Sequence, residues 1–280
     1  MTDVKYGHYT TTAGLLGIVK DELLWATNIK FLNDEHEFVH ALDMIKDIIE
    51  KQKNPLPEQV HPAFKEYVAE VKKQLESLDS YRAETVFTLS FSEQIDLLSQ
   101  WRGYCPNNNG YCIVFDAQNL YEAARSKFDD THLVQCVYDE TEKATQIRQL
   151  LNKFWHKYAG LEAGKKRTAL IEELSKEFVL FASYFKHPSF AEEQEHRIVS
   201  FLKYSIDNDI KFREGRSSLV PYIQLPASRK LIQKICIGPN PSKALARRAL
   251  EAFLETTFAM PSFVSDVDIE FSSTPYRPTT

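Results

Sequence analysis

The alternation of apolar and polar positions divides the chain into short strands and longer helices, and the stretch 85–116 organises the rest. It reads T-V-F-T-L-S-F-S-E-Q-I-D-L-L-S-Q-W-R-G-Y-C-P-N-N-N-G-Y-C-I-V-F-D. The pattern predicts a buried strand over 86–89, a serine-bearing exit at Ser90 and Ser92, and one or two helical turns presenting Leu97, Leu98 and Trp101. A polar turn then leads to a second buried strand over 111–115. Ser, Glu, Asp, Gln, Trp, Arg and Tyr crowd the connection, where a plain turn needs only Gly and Asn. Chemistry is often placed on such loops between rigid strands.

Upstream, a strand over 4–10 is followed by a helix capped by Thr11 or Thr12 and running to 20, with Leu15, Leu16, Ile18 and Val19 on its apolar face. A strand over 23–26 comes next. Asn33 or Asp34 suits the N-cap of a helix to 51 that buries Phe38, Leu42, Ile45, Ile48 and Ile49, and Glu35 and Glu37 suit its positive end. Pro55 and Pro57 break the chain before an amphipathic helix over 58–80 with Phe64, Val68, Val71 and Leu75 on one stripe.

Downstream, the pattern gives a helix over 118–127, a strand over 133–138, and helices over 140–158 and 168–186. A basic loop with Gly164, Lys165, Lys166 and Arg167 joins those two helices. Pro188 ends the second of them. Strands follow over 196–202, 222–225 and 231–237, then a helix from Ser242 to 257 and an edge strand over 267–271. About eight short strands with helices between and clustered beside them make the fold class α+β. One domain over 1–280 is expected, with a helical insertion over 139–187.

Composition adds bounds. Hydrophobic residues at 43% and charged residues at 26% are ordinary for a globular chain, and a chain of this length buries roughly three quarters of its unfolded surface. The start, M-T-D-V-K-Y-G-H-Y, lacks a signal-peptide pattern, and no run reaches the ~18 apolar residues of a membrane span. A cytoplasmic location without membrane partners is the expectation. Cys105, Cys112, Cys136 and Cys236 form no C-x-x-C pair and read as buried thiols. A formal charge of -5 offers no global attraction to nucleic acid but leaves room for a local basic groove. Lys165–Arg167 and Arg247 with Arg248 are the compact basic clusters.

Four constellations can carry chemistry. Glu193, Glu195 and Arg197 stand at period two at the head of a strand, which puts them on one face, and paired carboxylates beside an arginine are costly to bury. The plain alternative is a solvated strand end. His8, flanked by Tyr6, Tyr9 and Thr10, can hold a sugar hydroxyl or move a proton, or serve as a structural histidine. His36-Glu37-x-x-His40 places two histidines on one helical face, where they can share a zinc ion with Glu37 serving a bound water. Asp34 stands where such motifs usually carry an uncharged residue, and His61 or Glu58 would have to complete the set. The loop from Ser90 to Tyr104 has aromatic and hydroxyl groups for stacking on a ring and holding a sugar; its plain reading is a core Trp101 with a structural Arg102. No G-x-S-x-G elbow, P-loop or G-x-G-x-x-G is present.

The ordered set G-H-Y-T, F-L-N-D-E-H-E-F, S-F-S-E-x-x-D-L-L-S-Q-W-R-G-Y, K-H-P-S-F-A-E-E-Q-E-H-R-I-V and I-G-P resembles a widespread prokaryotic family of unknown function, over roughly 6–239. The order of parts is similar to that of ADP-ribosyltransferase-like folds, in which several members act as toxins in toxin-antitoxin or anti-phage systems. The resemblance implies an ADP-ribosyltransferase-like core, NAD as co-substrate, a macromolecular acceptor (protein or nucleic acid), and an antitoxin or sensor as a possible partner. It also implies roles. Glu195, then Glu193, would hold the ribose 2′-hydroxyl and favour an oxocarbenium-like transition state. His8, with Tyr9 and Thr10 beside it, would hold a ribose; Ser90 and Ser92 would support it; Trp101 or Tyr104 would stack on nicotinamide; and Arg102 would meet the pyrophosphate. Asn33 and Asp34 become candidates for a cap or the pocket rim. The S-x-S after Leu89 departs from the S-T-S usual in that fold. The resemblance implies no metal. Two other readings stand beside it: a zinc hydrolase using His36, Glu37 and His40, and a module that senses a nucleotide or protein without turnover.

Overall fold

The computed structural model describes residues 5–32, 35–51, 63–81, 86–104, 109–202, 209–215, 217–258 and 267–275. In chain order the elements are β1 (Lys5–Thr11), α1 (Thr12–Asp21), β2 (Leu23–Asn28), α2 (Glu35–Lys51), α3 (Ala63–Tyr81), β3 (Val86–Ser92), α4 (Leu98–Tyr104), β4 (Gly110–Asp116) and α5 (Ala117–Lys127). They continue with β5 (Thr131–Gln135), α6 (Glu140–Ala159), α7 (Lys165–Tyr184), a 3₁₀ segment (Pro188–Glu193), β6 (Glu195–Phe201), β7 (Lys211–Glu214), β8 (Leu219–Pro226), β9 (Ile232–Ile237), α8 (Lys243–Phe258) and β10 (Asp268–Phe271). The architecture is mixed α/β around a mostly antiparallel sheet. Helix starts follow capping chemistry, since Thr11, Asp116 and Asp139 each accept a backbone N–H of the first turn of α1, α5 and α6.

The strands run in the order β10-β9-β4-β1-β3-β2-β8-β7, with β6 and β5 joined to β3 as a branch. Strand β3 is the hub. Its full length pairs with β6, from Val86 opposite Phe201 to Ser92 opposite Glu195. Its other edge is shared: β2 meets it at Thr88 and Phe87, and β1 meets it only at Ser92. Ser90 therefore lies where the sheet splits. With both faces covered, V-F-T-L-S-F-S is buried at nearly every position, as expected for a central strand.

Side chains alternate across β3 and sort most of the core into two clusters, with a third, smaller one around Trp101. Phe87, Leu89 and Phe91 face α1, α5 and α8 through Ile18, Leu120 and Leu254. Val86 and its neighbour Val199 face a helical cluster in which Leu42 and Ile45 of α2, Tyr67 and Val71 of α3, Phe154 and Trp155 of α6, and Leu174 and Phe178 of α7 interlock. The expected insertion of two helices thus packs together with α2 and α3 on one face of the sheet. Each fully buried Leu, Val or Phe contributes about 1.5–3 kcal/mol relative to exposure.

Several expected boundaries change. Lys165, Lys166 and Arg167 belong to α7, and Arg167 is buried, its Nη1 2.7 Å from Glu66 Oε2 and its guanidinium 4.5 Å over the Tyr158 ring. That correction removes Arg167 from the basic surface. Strand β5 begins at Thr131 and ends at Gln135, and Val137 instead bridges to Phe185. Strand β7, K-F-R-E, is an exposed edge strand with no apolar alternation to announce it in the sequence. Asn33, Asp34, Glu58, His61 and Cys105 lie outside the described residues, as do the side chains of His36 and Glu37.

Candidate functional site

Three regions distant in sequence, β1, the β3–α4 stretch and the segment 193–195, meet where the sheet splits. A cavity of about 60 Å³ is lined by Gly7, His8 and Tyr9 of β1, Ser90, Phe91 and Ser92 of β3, Gln100 and Tyr104 of α4, and Glu193 and Glu195. The split itself has a chemical consequence. On the side away from β6, Ser90 has no ladder partner, and His8 Nδ1 takes its carbonyl at 3.1 Å. A carbonyl only accepts, so Nδ1 carries the proton and Nε2 is left as an acceptor. Burial lowers the His8 pKa from the ordinary 6.5, which holds the ring neutral.

Glu195 is nearly closed to water and stands between two cations. Its Oε1 is 2.6 Å from Arg197 Nε, and its Oε2 is 2.6 Å from Lys186 Nζ and 3.3 Å from Arg197 Nη2. Burial opposes ionisation, but Arg197 and then Lys186 more than offset it, so the carboxyl pKa falls from 4.5 to about 2. Such a group is an anion at every physiological pH. Arg197 is fixed in turn by the Ser183 carbonyl at 2.6 Å. Lys186 is fixed through its backbone: its carbonyl accepts from the buried Lys143 Nζ at 2.7 Å and its N–H donates to Val137 at 3.0 Å.

Glu193 reaches the same cluster by a different route from the one the spacing predicts. It closes the 3₁₀ segment rather than opening β6, and Gln194 between them adopts φ 41°. Period-two alternation therefore does not apply at Glu193. Its Oε2 nevertheless meets Lys186 Nζ at 2.7 Å, and its side chain is 18% exposed against 7% for Glu195. Glu193 is the carboxylate that faces the opening. Tyr104 stands at the mouth, 44% exposed. Desolvation and then the charge of Glu195 raise its phenol pKa, so it is a neutral hydroxyl there.

Other expected site residues serve the frame. Trp101 has no exposed surface, and its Nε1 donates to Asp96 at 2.7 Å, so it cannot stack on a ligand ring in this arrangement. Tyr9 packs edge-on to Trp101, donates to the Gln94 carbonyl at 2.6 Å and accepts from Leu97 N at 2.9 Å. Trp101 is corrected from a ligand contact to a support of α4, while Tyr9 supports α4 through its hydroxyl and also lines the cavity. Ser92 Oγ donates to the Glu193 carbonyl at 2.5 Å and accepts from Gln94 N at 3.0 Å, tying β3 to the carboxylate segment. Arg102 is exposed on α4, Thr10 is half-buried at the end of β1, and Asn33 lies outside the described residues.

The sequence did not single out Asp96, Lys186 or Gln100. Asp96 accepts from Trp101, from Ser273 N at 2.8 Å and Oγ at 2.7 Å, from Thr274 Oγ1 at 3.0 Å, and from Ser272 Oγ. These bonds outweigh partial burial and hold its pKa at about 2. Gly238 completes the seat of Trp101, since a Cβ there would lie 2.9 Å from the Gly110 carbonyl and 3.0 Å from the indole. A hint existed in the sequence, because Asp96 sits inside the S-E-x-x-D-L-L-S-Q-W-R-G-Y string; its partners, 176 to 178 residues away, left none.

The side chains of His36 and Glu37, which carry the zinc reading, lie outside the described residues, as do Glu58 and His61. His40 is exposed on α2, and among the described residues no group of three or more His, Cys, Asp or Glu side chains could hold a metal ion. Among the same residues no helix is long and apolar enough to cross a membrane.

Comparison with known proteins adds three findings. The profile of a family described as "Protein of unknown function (DUF2971)" matches residues 100–198, which include most of α4, Lys186 and both carboxylates. No curated protein matches the chain. A solved structure described as Thermus sp. 2.9 DarT in complex with ADP-ribosylated ssDNA aligns at 12% identity over 91% of each chain, with a TM-score of 0.32.

Proposed function

We propose that this chain, as a single domain, is an ADP-ribosyltransferase that uses NAD as co-substrate and modifies a macromolecule, with the reacting ribose held at the sheet split. The observation that carries the reading is the juxtaposition of Glu193 and Glu195 on Lys186 and Arg197, facing a neutral His8 and the Tyr104 hydroxyl. Breaking the bond between ribose C1′ and nicotinamide leaves the electron pair with the departing nicotinamide and positive charge on the sugar. Fixed negative groups near C1′ favour that charge without reorganising. The acceptor then bonds to C1′ and gives up its proton.

The division of labour differs from the order Glu195, then Glu193. With both oxygens engaged and a pKa of about 2, Glu195 is a poor base and serves as the fixed anion that positions Lys186 and Arg197. Glu193, more open and held by Lys186, is the carboxylate that meets the ribose hydroxyl and takes the acceptor proton. His8 Nε2 accepts from a ribose hydroxyl. Ser90 lies beside it, and Arg102 on α4 is the cation for the pyrophosphate. At about 60 Å³ the cavity has room for a water molecule or two, so the sugar enters as Tyr104 swings from the mouth.

The test is nicotinamide release from NAD by wild type and Glu193→Gln, with cell lysate as acceptor. A fall of about 100-fold or more in the variant is expected for a positioned acid-base group. Saturable NAD binding without release in either protein would replace the enzyme with a nucleotide-sensing module.

A further inference from the structure

The strand register places a second feature on the same sheet face as Ser90, Ser92 and Glu195. Thr27 lies opposite Thr88, and Thr27 is also opposite Tyr222, which is opposite Lys211. Directly paired residues point to the same side, and so do residues two apart. Trp25, Thr27, Tyr222, Lys211 and Arg213 therefore share one face of β2, β8 and β7, and that face continues onto β3 through Thr88 and Ser90. Trp25 and Ser90 lie on the same side of the Thr27–Thr88 pair, each two residues from it.

This face displays an exposed aromatic ring beside two cations. Trp25 is 45% exposed, and its indole stacks on Tyr222 with ring centres 4.3 Å apart and planes 27° from parallel. The buried Tyr222 holds the indole from below, so its outer face is available. Lys211 Nζ donates to Gln224 Oε1 at 2.6 Å and Arg213 Nη2 donates to Thr27 Oγ1 at 3.3 Å. Both partners are neutral, so neither positive charge is offset by a carboxylate through these bonds. On β7, Glu214 alternates to the other side, and the facing positions of β2 and β8 carry no Asp or Glu.

We propose that this face binds single-stranded nucleic acid, with a base stacked on Trp25 and the backbone on Lys211 and Arg213, and that it presents the strand to the cavity at the sheet split. A flat aromatic platform flanked by cations whose hydrogen-bond partners among the described residues are neutral suits the two components of single-strand binding: stacking that any base can supply, and phosphate attraction. A duplex hides its base faces and meets only the cations. The charge pairs at the cavity, Glu193 and Glu195 with Lys186 and Arg197, cancel and do not repel an approaching phosphate. As an acceptor assignment this rests on the transferase reading; as a binding surface it does not.

The experiment measures binding without NAD. Short mixed-sequence DNA and RNA oligonucleotides labelled with fluorescein are titrated with the full chain, following anisotropy and tryptophan emission. Trp101 and Trp155 are fully buried, so quenching on stacking reports Trp25. Trp25→Ala should weaken binding by about fivefold or more, the lower end of what one base stack contributes, and Trp25→Phe should restore most of it. Lys211→Ala with Arg213→Ala should flatten the slope of log affinity against log salt by ~1.4, two cations at ~0.7 each. Thermal melts check that the variants fold. No binding at low salt, equal binding of duplex and single strand, or unchanged affinity, quenching and salt slope in all variants would each overturn the proposal. Oligonucleotide binding by a protein that releases no nicotinamide sinks the transferase reading and leaves this surface standing; release with no oligonucleotide binding does the reverse.

Discussion

Lys186 Nζ lies 2.7 Å from Glu193 and 2.6 Å from Glu195, so one buried ammonium joins a carboxylate that faces the cavity to one that does not. The two glutamates look equivalent in sequence and differ in what their loss does. Glu195→Gln leaves Lys186 and Arg197 buried beside a neutral amide and should cost about 3–5 kcal/mol. Glu193→Gln leaves Lys186 paired with Glu195 and should cost less than the loss of Glu195, because no buried charge is left without a partner. Chemical denaturation of the two variants checks this. Expression of wild type should slow growth of the host, and Glu193→Gln should relieve it while remaining folded; equal toxicity of the two would remove Glu193 from the chemistry.

Acid should weaken the fold through Glu195. Its folded pKa of about 2 lies below the ordinary 4.5, so the unfolded chain binds the proton more tightly. The resulting stability is fully present above about pH 4.5 and is lost as pH falls towards 2, to the extent of roughly 3 kcal/mol. Denaturant midpoints measured across that window should fall in wild type and change less in Glu195→Gln.

His8 acts in the same direction at higher pH. Its folded pKa is depressed below 6.5 by burial, so the unfolded chain gains a proton first as pH drops. Stability is complete above about 6.5 and declines below it. In His8→Gln, denaturant midpoints between pH 7 and 5 should lose this slope; an unchanged slope would mean that His8 titrates normally in the fold.

Asp96 should prove to be a structural support of α4. Asp96→Ala removes the acceptor for Trp101, Ser273 and Thr274 and should cost about 2–3 kcal/mol, since bonds to a charged acceptor contribute more than neutral ones. The near-ultraviolet circular dichroism of Trp101 should change in the same variant. A variant as stable as wild type with an unaltered tryptophan signal would show that α4 is held by other contacts.

The sequence by itself determined the elements and their class. Apolar period placed α2, α6, α7 and the strands β3, β4 and β9 within a few residues, because each buries a regular stripe or face. It failed at β7, whose exposed K-F-R-E has no such stripe, and at the start of α7, where Lys165 and Lys166 look like a loop but are helical. The residues His8, Ser90, Tyr104, Glu193 and Glu195 were named from the sequence, and all five line the cavity at the sheet split. Tertiary structure decided their roles. Only the split of β3 between β1 and β2 sets His8 against the Ser90 carbonyl, and only the path of the chain after α7 brings Lys186 between the two glutamates. Trp101 lies in the core because Asp96 and Gly238 seat it and the segment 272–274 fixes Asp96. Trp25, Lys211 and Arg213 became one surface through strand pairing. Local periodicity records which side of an element is dry, whereas charge pairing, hydrogen-bond satisfaction and exposure depend on neighbours that are distant along the chain.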